Sequence, residues 1–340
     1  MNKLTKIGAS ALAGSLVSVS AIAGELAVSG SWELTYKSDD HAVNGNPFGS
    51  KSAISFNGSG EVDGVGTATF YAQMNDNNPA GYTSHLITMD MGDMGTFGFD
   101  QGVGEYGAST IDDKSPTAWE ESWHNTSNSS GGLVHTGGSA GVLGYANTIA
   151  GMNISFEYAP EINSGDNGDG ATGKATASIA GGSNMNIAIT SDSLMEGLSV
   201  GVGAGETEYD NTAVVGQEDG SSVVGFANYT MGPVTAGVTM SESNNARSAT
   251  ANTNAGGREV TAMGIAFAVN ESLSISYNQH DMTYKNNGAT ADVDQESTGI
   301  AIAYTMGGAK IAIQNNEQDN TGGTSGTNDE ITEISLSLAF

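Results

Sequence analysis

Leu26-Ala27-Val28-Ser29-Gly30-Ser31-Trp32-Glu33-Leu34-Thr35-Tyr36-Lys37 decides the fold. Leu26, Val28, Gly30, Trp32, Leu34 and Tyr36 share one face, and Ala27, Ser29, Ser31, Glu33, Thr35 and Lys37 share the other. A period of two is a strand with one apolar and one polar face. The pattern recurs in Met152–Tyr158, Leu198–Val202, Leu273–Tyr277, Ile300–Tyr304 and Ile334–Phe340. Helical periodicity is nowhere sustained for three turns. The second face carries Ser, Thr, Asn, Gly and Ala, with few of the Lys/Glu pairs that coat soluble sheets. A barrel turned inside out accounts for this, with apolar side chains toward lipid and small polar ones toward a water-filled lumen.

The connections alternate as well. Short turns fall at Asp63-Gly64, Gly92 to Gly95, Ala150-Gly151, Met195 to Gly197, Met231-Gly232-Pro233, Asn270-Glu271 and Gly307-Gly308, each with Gly, Asn, Asp or Pro turn chemistry. Long polar segments lie between them, at 38–50, 75–84, 102–139, 160–182, 206–220, 242–257, 283–296 and 317–330. Eight long loops and seven short turns predict sixteen strands. An even strand number, with short turns at one rim and long loops at the other, describes a transmembrane barrel. Segment 171–192 reads either as loop or as extended strand. Trp32, Tyr36, Tyr158, Tyr229, Tyr304 and Phe340 stand near strand ends, where interfacial girdles and plain strand propensity are both open readings.

Composition narrows the function. The 340 residues hold 38 acids against 10 bases, a net charge of -28, 49 glycines and no cysteine. A sequence-independent nucleic-acid binder needs clustered Lys and Arg, so that class is excluded. Disulfide frameworks and Cys-ligated metals are excluded too. Residues 1–23 read as a secretory signal: Lys3 and Lys6, a small apolar stretch, then Ala21-Ile22-Ala23 as the cleavage site. The other reading, a short membrane anchor, is disfavoured by its Ser and Gly residues and its length. Residues 24–340 then form one barrel domain, and an exported, acidic chain without Cys fits a bacterial periplasm, outer membrane or exterior.

No catalytic constellation is visible, so the expectation is not an enzyme, and no cofactor is called for. Gly102 to Gly107 matches GxGxxG but opens no helix of a βαβ unit. His41, His85, His124, His135 and His280 lack metal-ligand spacing. Asp166 to Gly170 falls short of a calcium loop. Asn125-Thr126-Ser127 and Asn228-Tyr229-Thr230 match the glycosylation triplet in a chain with no reason to be glycosylated.

The C-terminal strand Ile331 to Phe340 resembles the last strand of Gram-negative outer-membrane proteins, whose final Phe is read by the barrel-assembly machinery. Gly144 to Tyr158 is similar to the hairpin after the constriction loop of general diffusion porins, Met94 to Phe99 to their preceding strand, and Tyr229 to Thr235 to one of their periplasmic turns. Together these segments resemble the 16-stranded porin family over essentially the whole mature chain. The resemblance implies a homotrimer of water-filled pores in the outer membrane, contacting lipid and lipopolysaccharide, with the third long loop folded inward. It departs from the family in its cations. Gly144 and Asp100-Gln101 stand where arginine is frequent, and the two arginines, Arg247 and Arg258, lie in or beside the sixth long loop.

The third loop, 102–139, carries Glu105, Asp112, Asp113, Glu120 and Glu121 against Lys114. These acids either line the narrowest point of the pore or sit on an outer, solvated loop. In a pore, carboxylates replace lost hydration and concentrate cations. Strand parity adds Glu33, Lys37, Lys51, Asp100, Glu157 and Lys310 to the inner wall. The expectation is a cation-preferring channel for small hydrophilic solutes and ions. A solute-specific channel, a closed structural or adhesive barrel, and a soluble secreted β-protein are the alternatives. Trp119 and Trp123 read chiefly as packing residues of the loop.

Overall fold

A computed structural model describes residues 24–39, 45–76, 81–111, 114–126, 141–160, 182–208, 219–245, 257–285 and 291–340. Its strands are β1 Glu25–Asp39, β2 Phe48–Val62, β3 Gly66–Asn75, β4 Ser84–Asp90, β5 Thr96–Gln101, β6 Val142–Ile149, β7 Met152–Ala159 and β8 Asn184–Ser191. They continue as β9 Leu198–Thr207, β10 Gly220–Met231, β11 Val234–Asn245, β12 Arg258–Ala268, β13 Leu273–Tyr284, β14 Val293–Met306, β15 Ala309–Asp319 and β16 Asp329–Ala339. Each strand pairs antiparallel with its sequence neighbours, and β16 closes on β1 with Leu34 opposite Leu336. Phe340 and Gly30 exchange backbone hydrogen bonds at 2.9 and 3.1 Å, which seals the seam to the last residue. Closure leaves no sheet edge unpaired.

All seven short turns fall where Gly and Asn/Asp/Pro chemistry places them. Ala150 and Gly151 join β6 to β7 with φ of 52° and 79°. Two left-handed residues match the twist of a two-residue hairpin. Segment 171–192 resolves in part: Asn184–Ser191 is strand β8, and 171–181 lies outside the described residues.

Alternation sets the two faces. Ile300 and Ile302 point outward and are exposed, whereas Ala301 and Ala303 point inward and are buried. Leu26, Val28, Met185, Ile187 and Ile189 repeat the outward pattern on β1 and β8. Tyr36 and Tyr158 are exposed near the long-loop rim, and Tyr229, Tyr304 and Phe340 near the short-turn rim. The aromatic residues thus bracket an apolar outer band. The buried side is rich in Ser, Asn and Gln, the reverse of a soluble sandwich. Among the described residues no helix is long and apolar enough to cross a membrane, which does not bear on strands.

Candidate functional site: the third loop inside the barrel

Residues 102–111 leave β5 and run along the inner wall, and 114–126 run along it further on. Asp100 starts the turn: its two carboxylate oxygens accept the backbone N–H groups of Val103 and Glu105 at 2.7 and 2.8 Å. The side chain is buried, so it holds the loop's first turn. Tyr106 follows and lies flat against β5 and β6. A Cβ at Gly98 would collide with its hydroxyl, and one at Gly144 with its ring. Gly144 therefore replaces a wall side chain with a loop aromatic. Burial first, then the charges of Glu105 and Asp100, push the Tyr106 phenol above its ordinary range, so it stays neutral.

A short 3-10 helix, Gly107–Ile111, comes next. The N–H of Gly107 donates to Ser155 Oγ at 2.8 Å, and that of Ala108 to Asn186 Oδ1 at 2.6 Å. Ala108 and Ile111 join an apolar cluster with Ala188, Val224, Phe226, Val260, Met282 and Tyr284, all inside the barrel. The chain then continues round the wall. Asn228 Nδ2 donates to the Lys114 carbonyl at 2.7 Å, and Asn278 Nδ2 to that of Pro116 at 2.8 Å. The Ala118 N–H donates to Ser276 Oγ at 2.9 Å. Gln314 Nε2 donates to the Glu121 carbonyl at 2.6 Å, and Asn316 Nδ2 to that of His124 at 2.9 Å. Side chains at Gly264 and Gly299 would collide with Pro116 and Ser122. Trp123 is buried and packs against His280, their rings tilted by 45° with centres 4.5 Å apart. The loop's far end reaches β16 and β1, where Lys37 Nζ donates to the Asn125 carbonyl at 2.9 Å and Asn125 Nδ2 donates to Glu333.

The other charges gather near that far end. Lys51 on β2 pairs with Glu33 on β1 at 2.7 Å, and Ser335 and Ser337 donate to the same carboxylate. His124 lies 3.8 Å from Glu120 and 3.6 Å from Glu333. Burial raises the Glu120 carboxyl above its ordinary range, opposed by His124, Lys51 and Lys310 and reinforced by Glu33. Three lysines, Lys37, Lys51 and Lys310, stand on β1, β2 and β15, which lie within one sector of the barrel order. Arg258 instead sits 5.0 Å over the Tyr284 ring near the long-loop rim.

Beneath the loop lies a cavity of roughly 1680 Å³. Glu105, Glu120 and Glu121 line it from the loop, and Lys310 from the wall. Glu157 is buried below the loop beside Gly107. Asp112, Asp113, Arg247, His41, His135, the signal segment and the Asp166 to Gly170 stretch lie outside the described residues. Among the described residues no group of three or more His, Asp or Glu side chains is placed to hold a metal ion.

Sequence reasoning missed the wall amides Asn186, Asn228, Asn278, Gln314 and Asn316, and Glu333. A signal exists for them. All occupy inward parity, where a merely wetted wall is served by Ser or Thr. An amide both donates and accepts, as a main-chain segment laid on the wall requires.

Neither a protein-family model nor a curated protein matches the sequence. Solved structures do match. The chain is similar to OmpF of Salmonella typhi, in a complex with daunomycin, with a TM-score of 0.70 and 13% identity over 94% of this chain and 98% of that one. It is also similar to a loop L8 deletion mutant of OmpT, an outer membrane protein of Vibrio cholerae, with a TM-score of 0.63 and 15% identity over 94% and 100% of the two chains. A porin refined at 1.8 Å matches with a TM-score of 0.63 and 15% identity. At this identity the likeness is one of fold: a 16-stranded antiparallel barrel of the porin type.

Proposed function

We propose that the chain is an outer-membrane porin, a water-filled channel through which small hydrophilic solutes and ions diffuse, with a preference for cations. One observation carries the reading: a closed barrel with an apolar outer band holds a carboxylate-bearing loop inside its lumen. An apolar band flanked by aromatic residues suits a bilayer, where a lysine or arginine at the midplane costs about 2–4 kcal/mol. A polar inner wall suits water. Glu105, Glu120 and Glu121 on the loop, joined in the sequence by Asp112 and Asp113, with Glu33 and Glu157 on the wall, outnumber Lys37, Lys51, Lys114 and Lys310. That balance draws cations into the constriction. In this reading residues 1–23 are removed on export, Phe340 addresses the chain to the barrel-assembly machinery, and three copies associate among outer-membrane lipid and lipopolysaccharide. No catalytic step is assigned.

The test is the zero-current potential of the refolded protein in a planar bilayer under a KCl gradient, with liposome swelling by sugars of graded size. The expected result is a cation-side potential and swelling that falls with solute size. An anion-side potential at neutral pH overturns the selectivity. Well-folded protein with neither current nor swelling favours the closed structural barrel.

A further inference from the structure

The third loop meets the far wall through an imidazole. His124 Nδ1 lies 3.8 Å from Glu120 Oε2, four residues earlier in the loop, and Nε2 lies 3.6 Å from Glu333 Oε2 on β16. Each ring nitrogen therefore faces a carboxylate. A neutral imidazole offers one N–H and one lone pair, so it serves only one of the two. The imidazolium turns an N–H toward each. The frame around the ring does not depend on its proton. The His124 carbonyl accepts from Asn316 Nδ2 at 2.9 Å, the Glu120 carbonyl from Thr117 Oγ1 at 2.7 Å, and the Glu333 carboxylate from Asn125 Nδ2. The Trp119 ring lies 6.1 Å from the imidazole between centres. His124 and Glu120 both line the chamber beneath the loop, with 31% and 34% of their side chains exposed. The charges around them are Glu121 in the loop, Glu33 and Lys37 on β1, Lys51 on β2 and Lys310 on β15. Among these residue types, histidine is the one whose charge ordinarily changes between about pH 5 and 8. A proton at His124 thus alters the charge of the lumen by a full unit, between two carboxylates.

We propose that His124 makes the ion selectivity of the channel depend on protons. As imidazolium it bridges Glu120 to Glu333 and opposes the entry of cations. As neutral imidazole it leaves one of the two carboxylates without its N–H, and cations pass more freely. The proposal deepens the porin reading and rests on it for the conducting path, whereas the titration of the ring does not need conduction.

Two measurements test it, both read from about pH 8 to about pH 5. One is the zero-current potential in a KCl gradient. The other follows the imidazole NMR resonances of the folded protein in detergent. The expected result is a cation-to-anion permeability ratio that falls by about twofold or more as His124 takes up its proton. His124→Gln removes that step and leaves the separate step of Glu120, which Glu120→Gln removes. His124→Arg holds the low ratio across the whole range. The His124 resonance, identified by its absence from His124→Gln, moves over the same pH range as the potential. A step that persists in His124→Gln overturns the role while the pore reading stands. So do Gln and Arg variants that shift the potential alike, which is what a merely structural ring predicts. A His124 resonance that stays fixed over the range overturns it without reference to current. Folded protein whose resonance moves but which carries no current removes the pore reading, and the selectivity role with it.

Discussion

Two sectors of the same inner wall solve the lumen differently. On β7 to β16 amides hold most of the loop's main chain, with small side chains, an apolar cluster and the buried Glu157, His280 and Glu333 beside them. Asn186, Asn278, Gln314 and Asn316 are each exposed by 3% or less, because the loop's main chain lies on them. On β1 and β2 the inward charges run from the buried Glu33 through the half-buried Lys37 to the exposed Lys51. The Lys51 side chain keeps 68% of its surface exposed while it pairs with Glu33. Strand parity is the same in both sectors, so parity alone does not set the chemistry. What sets it is the neighbour: the loop's main chain is met mostly by amides, hydroxyls and glycine on β7 to β16, whereas Lys51 on β2 is left to water. Each amide contact contributes about 0.5–1.5 kcal/mol net, and their number makes the loop part of the wall.

The largest effect should come from Gly144→Arg. Any side chain there must displace Tyr106, and overpacking of this kind costs about 1–3 kcal/mol. The loop should undock while the barrel stays closed. Limited proteolysis should then cut within 102–126 of a barrel that keeps its heat-modifiable migration in detergent gels. Wild-type protease resistance would contradict the packing.

Asp100→Ala comes next. Two backbone donors lose a charged acceptor, at about 1–3 kcal/mol, and open-channel current noise should rise. Asn278→Leu sharpens the contrast between sectors. It should destabilise loop docking by about 1 kcal/mol, whereas Ser55→Ala on β2 should change it by less than about 0.5 kcal/mol. Urea titration followed by tryptophan fluorescence reads both. Equal effects would erase the distinction.

Glu120 gives the pH dependence. Its docked carboxyl titrates above the ordinary carboxylate range, so the docked loop binds more protons than an undocked one. Docking should therefore tighten as pH falls through that window and loosen as pH rises through it. Protonation also removes one negative charge, so cation preference should drop in the same window. Glu120→Gln should abolish both changes, and a zero-current potential measured against pH checks it. The smallest effect belongs to Lys51→Gln. The exposed Lys51 ammonium is screened by water, so the permeability ratio should move toward cations by less than about twofold.

Much of this was legible in the residues. Strand count, turn positions and the outward face followed from alternation and from dipeptides such as Ala150-Gly151, because period and turn geometry are local. The infolded loop came through resemblance alone, since nothing local distinguishes a loop on the wall from one in solvent. Gly144 shows the limit. In the sequence it is a missing arginine; in the fold it is the space beneath Tyr106, 38 positions earlier in the chain. Asp100 likewise reads as a pore charge by parity and is spent on two N–H groups. Trp123 was readable as packing, but its partner His280 was not.

The central claim is that the third loop lies in the lumen and faces the water path. The chain has no cysteine, so Ser109→Cys, a near-isosteric change at a residue lining the chamber, gives a single reactive thiol. Cationic and anionic methanethiosulfonate reagents should both reduce its single-channel conductance and shift the zero-current potential in opposite directions. Unchanged current and potential after complete labelling would contradict the account.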